Sequence, residues 1–381
     1  MAIFVFGAGQ MGAAAALDLV LSGADVTLAE SDEARLQRAA RRIRRLAGRA
    51  GGRRLRVRRL DARRAQALAA AFHGHRVVLS ALPYYHNLAL TRAALQAGCH
   101  FCDLGGNTAL VRRQLALGAR AARRNLAILP DCGLSPGLAS VLGAHAVRQL
   151  RRPRSLRIWI GGLPVHPRTP LNYQIVFSVE GLINELDEPC RILRGGSPVD
   201  VEPLTEIEPI AFPGWPPLEA FMTSGGTSTL PDSFRNRLET VEEKTIRFAG
   251  HAAVLAGLRA LGFFSQARER GIGLTPRQLT ARLLERAWRD QGDDAVLLRI
   301  VAAGEGETVR CEADIRGDAR LGLTAMARAT ALPAAICAAM LADGRISARG
   351  GLTQEEGVPA ELLIQEMAKR GVELHFTPSA S

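Results

Sequence analysis

Residues 2–30 read AIFVFGAGQMGAAAALDLVLSGADVTLAE, and this stretch decides the fold of the first part of the chain. Ala2–Phe6 is a short, continuous apolar run typical of a buried strand, and an alanine-rich helix is expected over 13–22. A second strand is predicted over Asp25–Ala29, directly before the carboxylate of Glu30. Strand, glycine-rich turn, helix, strand and acid in this order predict a Rossmann-type dinucleotide-binding unit.

The glycines of the turn have separate physical roles. Gly7 allows the tight turn out of the strand, Gly9 lets a pyrophosphate approach the backbone, and Gly12 lets the helix pack closely on the strand. The helix that begins near Gln10 and Met11 presents free N–H groups and a positive dipole end. The phosphates of a dinucleotide are therefore expected at this helix start.

Glu30 indicates which dinucleotide is bound. It follows Gly12 at about the spacing expected for a carboxylate that binds the adenosine ribose hydroxyls. A carboxylate there repels the 2′-phosphate of NADP, so NAD is the expected cofactor.

The β-α alternation continues up to residue 130. Strands are predicted over 55–60, 76–82, 100–104 and 127–130, which indicates a doubly wound parallel sheet. Ligands of such sheets bind at the carboxyl ends of the strands. The residues expected near the cofactor at these ends are Ser80, Ala81, Leu82, Asp103, Gly133, Leu134 and Asp61. For Asp61, a place beside the adenine and an N-cap of a helix over 62–71 are equally compatible with the sequence.

The regular alternation of strands and helices ends at about residue 150. Strand-like segments recur at 156–160, 171–177, 205–212, 240–248, 296–302 and 307–315, with two helices expected within 251–291. This pattern predicts an α+β substrate domain with a mixed sheet. The expected domains are residues 1–133 for the dinucleotide and 134–323 for the substrate, with the helices of 324–381 packing back on the first.

Composition excludes several classes of protein. All but two of the 49 basic residues are arginine, and they are spread along the chain without interleaved aromatic residues or a nucleic-acid motif. The net charge of +12 is therefore explained by arginine on solvated helix faces, and no nucleic-acid partner is expected. Cys99 and Cys102 have a metal-like spacing but lie in a strand pattern, so no metal is expected.

No membrane partner is expected, because no uninterrupted apolar run of about eighteen residues occurs. The first strand is predicted to begin at residue 2, which leaves no room for a signal peptide, so a cytoplasmic protein is expected.

Several motifs carry a family resemblance. They are DLGG at 103–106, VFSVEGL at 176–182, TSGGTSTL at 223–230, KTIR at 244–247 and TAMARAT at 324–330. In these the chain resembles the saccharopine dehydrogenase superfamily, and within it the bacterial L-lysine 6-dehydrogenases. The resemblance covers nearly the whole chain, although residues 252–291 match poorly.

The resemblance implies NAD-linked oxidative deamination of the ε-amino group of L-lysine. The product would be 2-aminoadipate 6-semialdehyde, which cyclises to piperideine-6-carboxylate, with release of ammonia. It also implies a homodimer or higher homo-oligomer built through the sheet of the second domain. The alternatives are a related oxidoreductase acting on saccharopine, another amino acid or a carboxylated polyamine, and a non-catalytic NAD-sensing protein.

This chemistry needs a proton acceptor and an anion site. An amine gives up hydride only when neutral, and the lysine ammonium has a pKa of about 10.4 in water. Asp103, Glu180 and His251 are candidates for this catalytic role, and the sequence does not choose among them. As structural alternatives, His251 can be a buried hydrogen-bonding residue and Glu180 a helix-start carboxylate.

The α-carboxylate of the substrate calls for an anion site. Arg247 offers a bidentate partner, with a solvated strand arginine as the alternative. Tyr173 either lines the pocket or packs in the core. A nest of N–H and hydroxyl donors, or simply a glycine-rich turn, is predicted at Ser224, Gly225, Thr227 and Ser228.

Overall fold

The structure, a computed structural model, describes residues 1–176, 178–268, 271, 273–288 and 292–380. The chain divides into two compact units. The first unit consists of Met1–His145, Ala319–Leu323 and Ala327–Leu374, and the second of Ala146–Asp318, Thr324–Met326 and His375–Ser381.

The bounds of the units differ from the expected domains at two places. The first unit extends to His145 rather than to residue 133, because a helix that follows the last β-α repeat belongs to it. The last residues, from His375, form a strand of the second sheet. Ala319–Leu323 and Ala327–Leu374 are grouped with the first unit, and Thr324–Met326, where α12 begins, with the second.

The first unit contains a seven-stranded parallel sheet, which is the predicted architecture. In spatial order its strands are β15-β6-β5-β4-β1-β2-β3. Their bounds are β1 (Ala2–Phe6), β2 (Asp25–Glu30), β3 (Leu55–Arg59), β4 (Val77–Ser80), β5 (His100–Asp103), β6 (Ala127–Leu129) and β15 (Gly350–Gly351). Because β1 pairs with both β2 and β4, the strand order reverses at the carboxyl end of β1, where such sheets bind ligands.

Helices surround this sheet. They are α1 (Gln10–Leu21), α2 (Glu33–Gly52), α3 (Ala65–Phe72), α4 (Asn87–Ala97), α5 (Thr108–Leu115), α6 (Gly118–Ala122), α7 (Leu138–Arg148), α12 (Ala325–Asp343), α13 (Gln354–Gly357) and α14 (Ala360–Lys369). The segment between β5 and β6 is divided into two helices, α5 and α6. A Cβ on Gly118 would lie 2.6 Å from the Gly351 nitrogen, so the division brings the backbone of Gly118 against β15.

Helix α12 is the one helix of the described residues that is both long and apolar. By length and composition it could cross a membrane, but 89% of its apolar window is buried inside the protein. Burial of this kind is typical of the core helix of a globular domain.

The second unit is built on a nine-stranded mixed sheet, as predicted. Its main path is β10-β11-β12-β7-β13-β14-β16, and β8 pairs with β12 and β9. The bounds are β7 (Pro153–Pro164), β8 (Cys190–Arg194), β9 (Ser197–Val201), β10 (Glu208–Ile210), β11 (Leu218–Met222), β12 (Thr240–Phe248), β13 (Asp294–Gly304), β14 (Glu307–Arg316) and β16 (His375–Ala380).

Two predicted strands of this unit are wrong or shortened. Residues 171–176 form no strand, because Leu171 and Asn172 have left-handed φ angles of +63° and +51°. Phe177, the end of that prediction, lies outside the described residues. The strand predicted over 205–212 contains only Glu208–Ile210.

Strand β12 separates two kinds of environment. Ile246 and Phe248 face an apolar cluster that includes Leu218 and Ala220 of β11. The alternate residues, among them Thr245 and Arg247, point to the other face, because side chains alternate along a strand. This second face is polar and buried.

Helices and a loop cover the polar face of β12. The helices of this unit are α8 (Val179–Asp187), α9 (Leu230–Ser233), α10 (His251–Ala260) and α11 (Pro276–Trp288). Tyr173, Phe221 and Trp288 share one hydrophobic core with buried residues of α8 and α10.

Candidate active site

The glycine-rich turn between β1 and α1 has the geometry of a phosphate cradle. Gly7 adopts a φ of +106°, and a Cβ on Gly12 would lie 1.9 Å from the Gly7 carbonyl oxygen. Only glycine fits at either position. A Cβ on Gly9 would meet no protein atom within 4 Å, and Gln10 is exposed while Met11 is half-buried at the helix start. The N-terminus of α1 is thus open to an anionic ligand.

Glu30 is buried beside this turn and is ionised. One carboxylate oxygen accepts hydrogen bonds from Ser31 and Asp32, and the other accepts the Ala8 N–H at 3.1 Å. Although burial opposes ionisation, these hydrogen bonds lower the pKa of Glu30 below its usual value. The oxygen that binds Ala8 also lies 3.7 Å from the Arg35 guanidinium, and it keeps a lone pair for a further donor, such as a ribose hydroxyl.

The end of β4 lies against the glycine turn. A Cβ on Gly7 would lie 2.8 Å from the Ala81 oxygen and 3.3 Å from the side chain of Leu82. The buried Ser80 hydroxyl donates to the Asn87 side chain at 2.9 Å, which fixes the start of α4. Ala81 and Leu82 are therefore placed at the switch point, while the Ser80 hydroxyl has a structural partner.

One of the two alternatives for Asp61, an N-cap of the next helix, is wrong. Helix α3 begins at Ala65, and the Asp61 carboxylate instead pairs with Arg63 at 2.7 Å and accepts its backbone N–H. This pairing lowers the pKa of Asp61. The carboxylate closes a turn at the end of β3.

Asp103 is a fully buried carboxylate at the end of β5. It accepts hydrogen bonds from the Gly105 N–H at 2.7 Å, the Gln114 amide at 2.7 Å and the Asp131 N–H at 3.3 Å. Burial raises its pKa to about 6, although these donors act in the opposite direction. The carboxylate organises the loops after β5 and β6, and both of its oxygens have donors.

Asp131 lies in the loop after β6, next to the predicted cofactor residues Gly133 and Leu134. It has a left-handed φ of +63°, which is uncommon outside glycine and asparagine, and it is buried. A Cβ on Gly105 would lie 2.1 Å from the Asp131 carboxylate, so glycine is required there. Its place directly after a strand of a parallel sheet is the position at which such sheets hold ligands.

Gly133 and Leu134 complete this edge of the first unit. The Gly133 oxygen accepts the Leu138 N–H and the Leu134 oxygen accepts the Ala139 N–H, so both residues hold the start of α7. Leu134 is buried. Their predicted contact with the cofactor remains a prediction.

In the second unit, three of the predicted residues form one buried cluster. The Arg247 guanidinium lies over the Tyr173 ring, with its carbon 4.7 Å from the ring centroid. The Tyr173 and His251 ring centroids are 5.4 Å apart. Arg247 is 4%, His251 2% and Tyr173 0% exposed.

Several polar groups of this cluster lack a charged or hydrogen-bonding partner among the described residues. Among the residues that the structure describes, Arg247 makes no ion pair, and its guanidinium donates to the Ile246 carbonyl at 2.8 Å. The Tyr173 hydroxyl and His251 Nε2 have no hydrogen-bond partner within the same residues. Arg247 lies above the Tyr173 ring, outside hydrogen-bonding geometry with the hydroxyl. Buried charges and polar groups are normally paired, so the cluster is suited to an anionic ligand.

His251 is a neutral imidazole at physiological pH. Burial and the nearby Arg247 lower its pKa to about 3, although the Leu171 carbonyl next to Nδ1 opposes this shift. A group with this pKa is a weak base, so His251 is suited to hydrogen bonding rather than to removing a proton from an amine.

Glu180 lies away from this cluster. It is exposed in the first turn of α8 and pairs with the buried Arg277 at 3.3 Å. The carboxylate of α8 that is electrostatically coupled to Arg247 is Glu185, which sequence reasoning missed. Burial raises the pKa of Glu185 to about 8, with Arg247 opposing the shift and Glu243 adding to it. A usable signal was its position between Leu182 and Leu186, on the border of the apolar face.

The Ser224–Ser228 loop has more structural roles than predicted. The Ser224 hydroxyl donates to the Pro189 carbonyl at 2.9 Å, and the Thr227 hydroxyl donates to the Arg191 carbonyl at 2.6 Å. Gly225 has a φ of +96°, and its carbonyl accepts the Ser228 N–H at 3.2 Å. These bonds hold the loop to the start of β8, so both hydroxyls already have acceptors.

The described residues contain no group of three or more histidine, cysteine or acidic side chains that could hold a metal ion. All six cysteines are buried free thiols. Burial raises the pKa of Cys99 to about 11.

A parallel Rossmann-type unit followed by a mixed-sheet unit with a buried polar face defines a dinucleotide-dependent oxidoreductase. The chain belongs to the saccharopine dehydrogenase family. Residues 3–129 match the saccharopine dehydrogenase NADP binding domain, and residues 133–372 match the saccharopine dehydrogenase C-terminal domain.

Two similar proteins illustrate the relationship. The chain is 21% identical over 253 residues to the saccharopine dehydrogenase [NADP(+), L-glutamate-forming] of Schizosaccharomyces pombe. That alignment covers 61% of this chain and 54% of the relative, so about half of the relative's length is matched. The apo saccharopine dehydrogenase (L-Glu forming) of Saccharomyces cerevisiae shares the fold, with a TM-score of 0.77, 19% identity and complete coverage of both chains.

Proposed function

We propose that the protein is an NAD-linked amino-acid dehydrogenase that oxidises the ε-amino group of L-lysine. The observation that supports an amino-acid substrate is Arg247, a buried guanidinium without a carboxylate partner among the described residues. An unpaired buried cation is unfavourable unless a ligand supplies the anion, and an α-carboxylate fits this need. The choice of lysine rests on the motif resemblance.

The proposed reaction balances as follows. L-lysine, NAD⁺ and water give 2-aminoadipate 6-semialdehyde, NADH, an ammonium ion and a proton. The dinucleotide, when bound, accepts the hydride from the ε-carbon. Water then attacks the iminium carbon, the C–N bond breaks, and the aldehyde cyclises with its own α-amino group to piperideine-6-carboxylate.

Two features of the first unit are suited to binding a dinucleotide. Gly9 and Gln10 leave the N-terminus of α1 open to phosphate oxygens. Glu30 has a lone pair free for a ribose hydroxyl, and its negative charge disfavours the 2′-phosphate of NADP. The family's domain name and the fission-yeast relative refer to NADP, so the choice of NAD is our proposal for this chain.

The closing test is a substrate screen with the purified protein and each of the two cofactors. L-Lysine with NAD should give an increase in NADH absorbance from neutral to alkaline pH, and NADP should be less effective. No signal with lysine across this range would exclude the proposed substrate.

A second candidate is the oxidation of saccharopine, the activity for which both relatives are named. Saccharopine carries a secondary amine and would also present a carboxylate to Arg247. Turnover of saccharopine without turnover of lysine, in the same screen, would select this alternative. Binding of NAD without turnover of any amine would favour a sensing protein instead.

We also propose a homodimer or higher homo-oligomer in the cytoplasm, with a small molecule as its ligand, as the resemblance implies. Light scattering coupled to gel filtration tests the oligomer directly. A monomer at micromolar concentration would contradict it.

A further inference from the structure

The His251 imidazole is held in one tautomer. Its Nδ1 lies 3.2 Å from the Leu171 carbonyl oxygen, which can only accept a hydrogen bond, so Nδ1 carries the proton. The ring is 2% exposed and makes no ion pair with a carboxylate within the described residues, so it is neutral. A neutral imidazole protonated at Nδ1 has a lone pair at Nε2, and Nε2 is therefore a hydrogen-bond acceptor.

Three aromatic side chains fix the orientation of this ring. The Phe221 and Trp288 rings lie at centroid distances of 6.4 and 6.2 Å, with planes inclined by 19° and 29° to the imidazole. The Tyr173 ring lies at 5.4 Å and is inclined by 60°. Trp288 is itself held, since its indole N–H donates to the Pro170 carbonyl at 3.1 Å. The direction of the Nε2 lone pair is therefore set by the packing of the core.

The Nε2 lone pair has no donor from the protein. Nε2 is buried and makes no hydrogen bond within the part of the chain that the structure describes. Buried acceptors are normally paired, because an unpaired one has lost its hydrogen bonds to water without replacement. A donor for Nε2 therefore has to come from outside these residues.

Arg247 and His251 lie close together. Arg247 is near the end of β12 and His251 is the first residue of α10, so only three residues separate them along the chain. The Arg247 guanidinium carbon is 4.7 Å, and the imidazole centroid 5.4 Å, from the centroid of the same Tyr173 ring. These distances keep the guanidinium within about 10 Å of the imidazole, which is the reach of an α-amino acid with one hydrogen bond at each end.

We infer that His251 Nε2 accepts a hydrogen bond from the α-ammonium group of the amino acid whose α-carboxylate pairs with Arg247. A carboxylate alone does not satisfy both residues, because it has no hydrogen to donate to Nε2. An α-amino acid carries a donor next to its carboxylate and satisfies both. This inference deepens the proposed function and rests on an amino acid being bound at Arg247.

A neutral acceptor suits the charges of this site. A protonated His251 beside the Arg247 guanidinium would repel an ammonium group, whereas the neutral ring binds it without adding charge. Because burial and Arg247 lower the pKa of His251 to about 3, the ring also does not take a proton from the α-ammonium. His251 therefore binds and orients the amino acid, and the ε-amino group that reacts lies at the other end of the substrate.

The experiment uses isothermal titration calorimetry with the full-length protein saturated with NADH. The probes are L-lysine and 6-aminohexanoate, which differ only in the α-ammonium group. The wild-type protein should bind L-lysine about tenfold more tightly, the size expected for one hydrogen bond from a charged donor. Equal binding of the two probes would show that water satisfies Nε2 and would overturn the inference.

Two substitutions separate Nε2 from the rest of the side chain. His251→Asn keeps an amide donor near the position of Nδ1 but has no acceptor at the position of Nε2, so the preference for L-lysine should disappear. His251→Gln places an amide oxygen near the position of Nε2 and should retain part of the preference. His166→Asn, at an exposed histidine of the same unit, is the matched control and should keep the full preference. Thermal unfolding shows whether each variant is folded.

Nitrogen-15 NMR gives a readout that does not depend on affinity. The protein is labelled at its eight histidines, and the signals of His251 are assigned by their absence in His251→Asn. His251 should show a proton on Nδ1, and its Nε2 resonance should shift with L-lysine and stay in place with 6-aminohexanoate. A proton on Nε2 in the free protein, or an equal shift with both probes, would overturn the inference.

The outcomes distinguish this inference from the proposed function. A preference for L-lysine that is lost in His251→Asn, without turnover of lysine, supports the role of His251 and rejects the proposed reaction. Turnover of lysine by the wild type, with an unchanged preference in a folded His251→Asn, overturns the role of His251 and leaves the reaction standing. Failure of the wild type to bind L-lysine overturns both.

Discussion

The two units treat a buried arginine in opposite ways. In the first unit, Arg370 pairs with Asp18 through two hydrogen bonds of 2.7 and 3.0 Å, and also bonds Glu366. In the second unit, the more deeply buried Arg247 has no such carboxylate among the described residues. A charge that the protein itself neutralises holds the fold together, while a charge that it leaves unpaired is available for a ligand. Stability and function should therefore respond oppositely to the loss of each arginine.

The largest effect is expected on breaking the paired arginine. Arg370→Leu leaves Asp18 buried without its cation and should lower the free energy of unfolding by about 3–5 kcal/mol. Urea denaturation measures this change. Adding Asp18→Asn should recover part of the loss, because the unpaired carboxylate is then removed. An Arg370→Leu variant that is as stable as the wild type would show that the Arg370–Asp18 pair contributes little to the free energy of unfolding.

The unpaired arginine should show the reverse. Arg247→Gln should raise KM for the amino-acid substrate by about 100-fold, the size expected when a ligand charge loses its partner. The melting temperature should stay unchanged or rise, since an unfavourable buried charge is removed. Steady-state kinetics with thermal unfolding tests both. A large loss of stability would place Arg247 with Arg370 as a structural residue.

The glycine turn extends the same comparison to uncharged residues. Gly9→Ala meets no protein atom and should leave stability unchanged, but it should weaken dinucleotide binding by about tenfold through contact with the ligand. Gly12→Ala clashes with the Gly7 carbonyl and should destabilise the fold by about 1–3 kcal/mol. Calorimetric titration and thermal unfolding of both variants separate the two roles. Equal stability of both would contradict the close approach at Gly12.

A smaller effect is expected for cofactor choice. Glu30→Ser should shift the ratio of kcat/KM values from NAD toward NADP by about tenfold, because the charge that repels a 2′-phosphate is removed. Glu30 also holds the Ala8 N–H, so binding of both cofactors should weaken somewhat. Asp32→Ser, at the exposed start of α2, is the matched control and should leave the ratio unchanged. An unchanged ratio in Glu30→Ser would exclude the proposed role.

Local sequence signals were sufficient where the structure depends on residues that are close together in the sequence. The glycine turn requires glycine for reasons of backbone geometry alone, and β12 was predicted with its observed bounds, Thr240–Phe248, because apolar and polar residues alternate. The same kind of pattern predicted a strand that includes residues 171–176, and that prediction was wrong. Tyr173 packs in the hydrophobic core of the second unit, but the left-handed backbone at Leu171 prevents an extended strand.

The candidate site was only partly predictable, because its geometry depends on contacts between distant segments. Tyr173, Arg247 and His251 were proposed from residue type, and the fold brings them together. Glu180 was proposed and Glu185 was not, although both lie on α8, and only tertiary packing shows that Glu180 pairs with Arg277. The difference between a paired and an unpaired charge has no signature in the sequence.

The smallest effect concerns the dependence of stability on pH. The pKa of Glu185 is raised to about 8 by burial, with contributions from Arg247 and Glu243, and Tyr173 also faces it. The neutral carboxyl favours the folded state, so its contribution is present below the ordinary value of 4.5 and is lost as pH rises toward about 8. The melting temperature of Glu185→Gln relative to the wild type should therefore increase from about pH 5 to about pH 9. Glu188→Gln, which is exposed, should follow the wild type. A constant difference between Glu185→Gln and the wild type would mean that Glu185 has an ordinary pKa, and the site would then hold a carboxylate already ionised before the ligand binds.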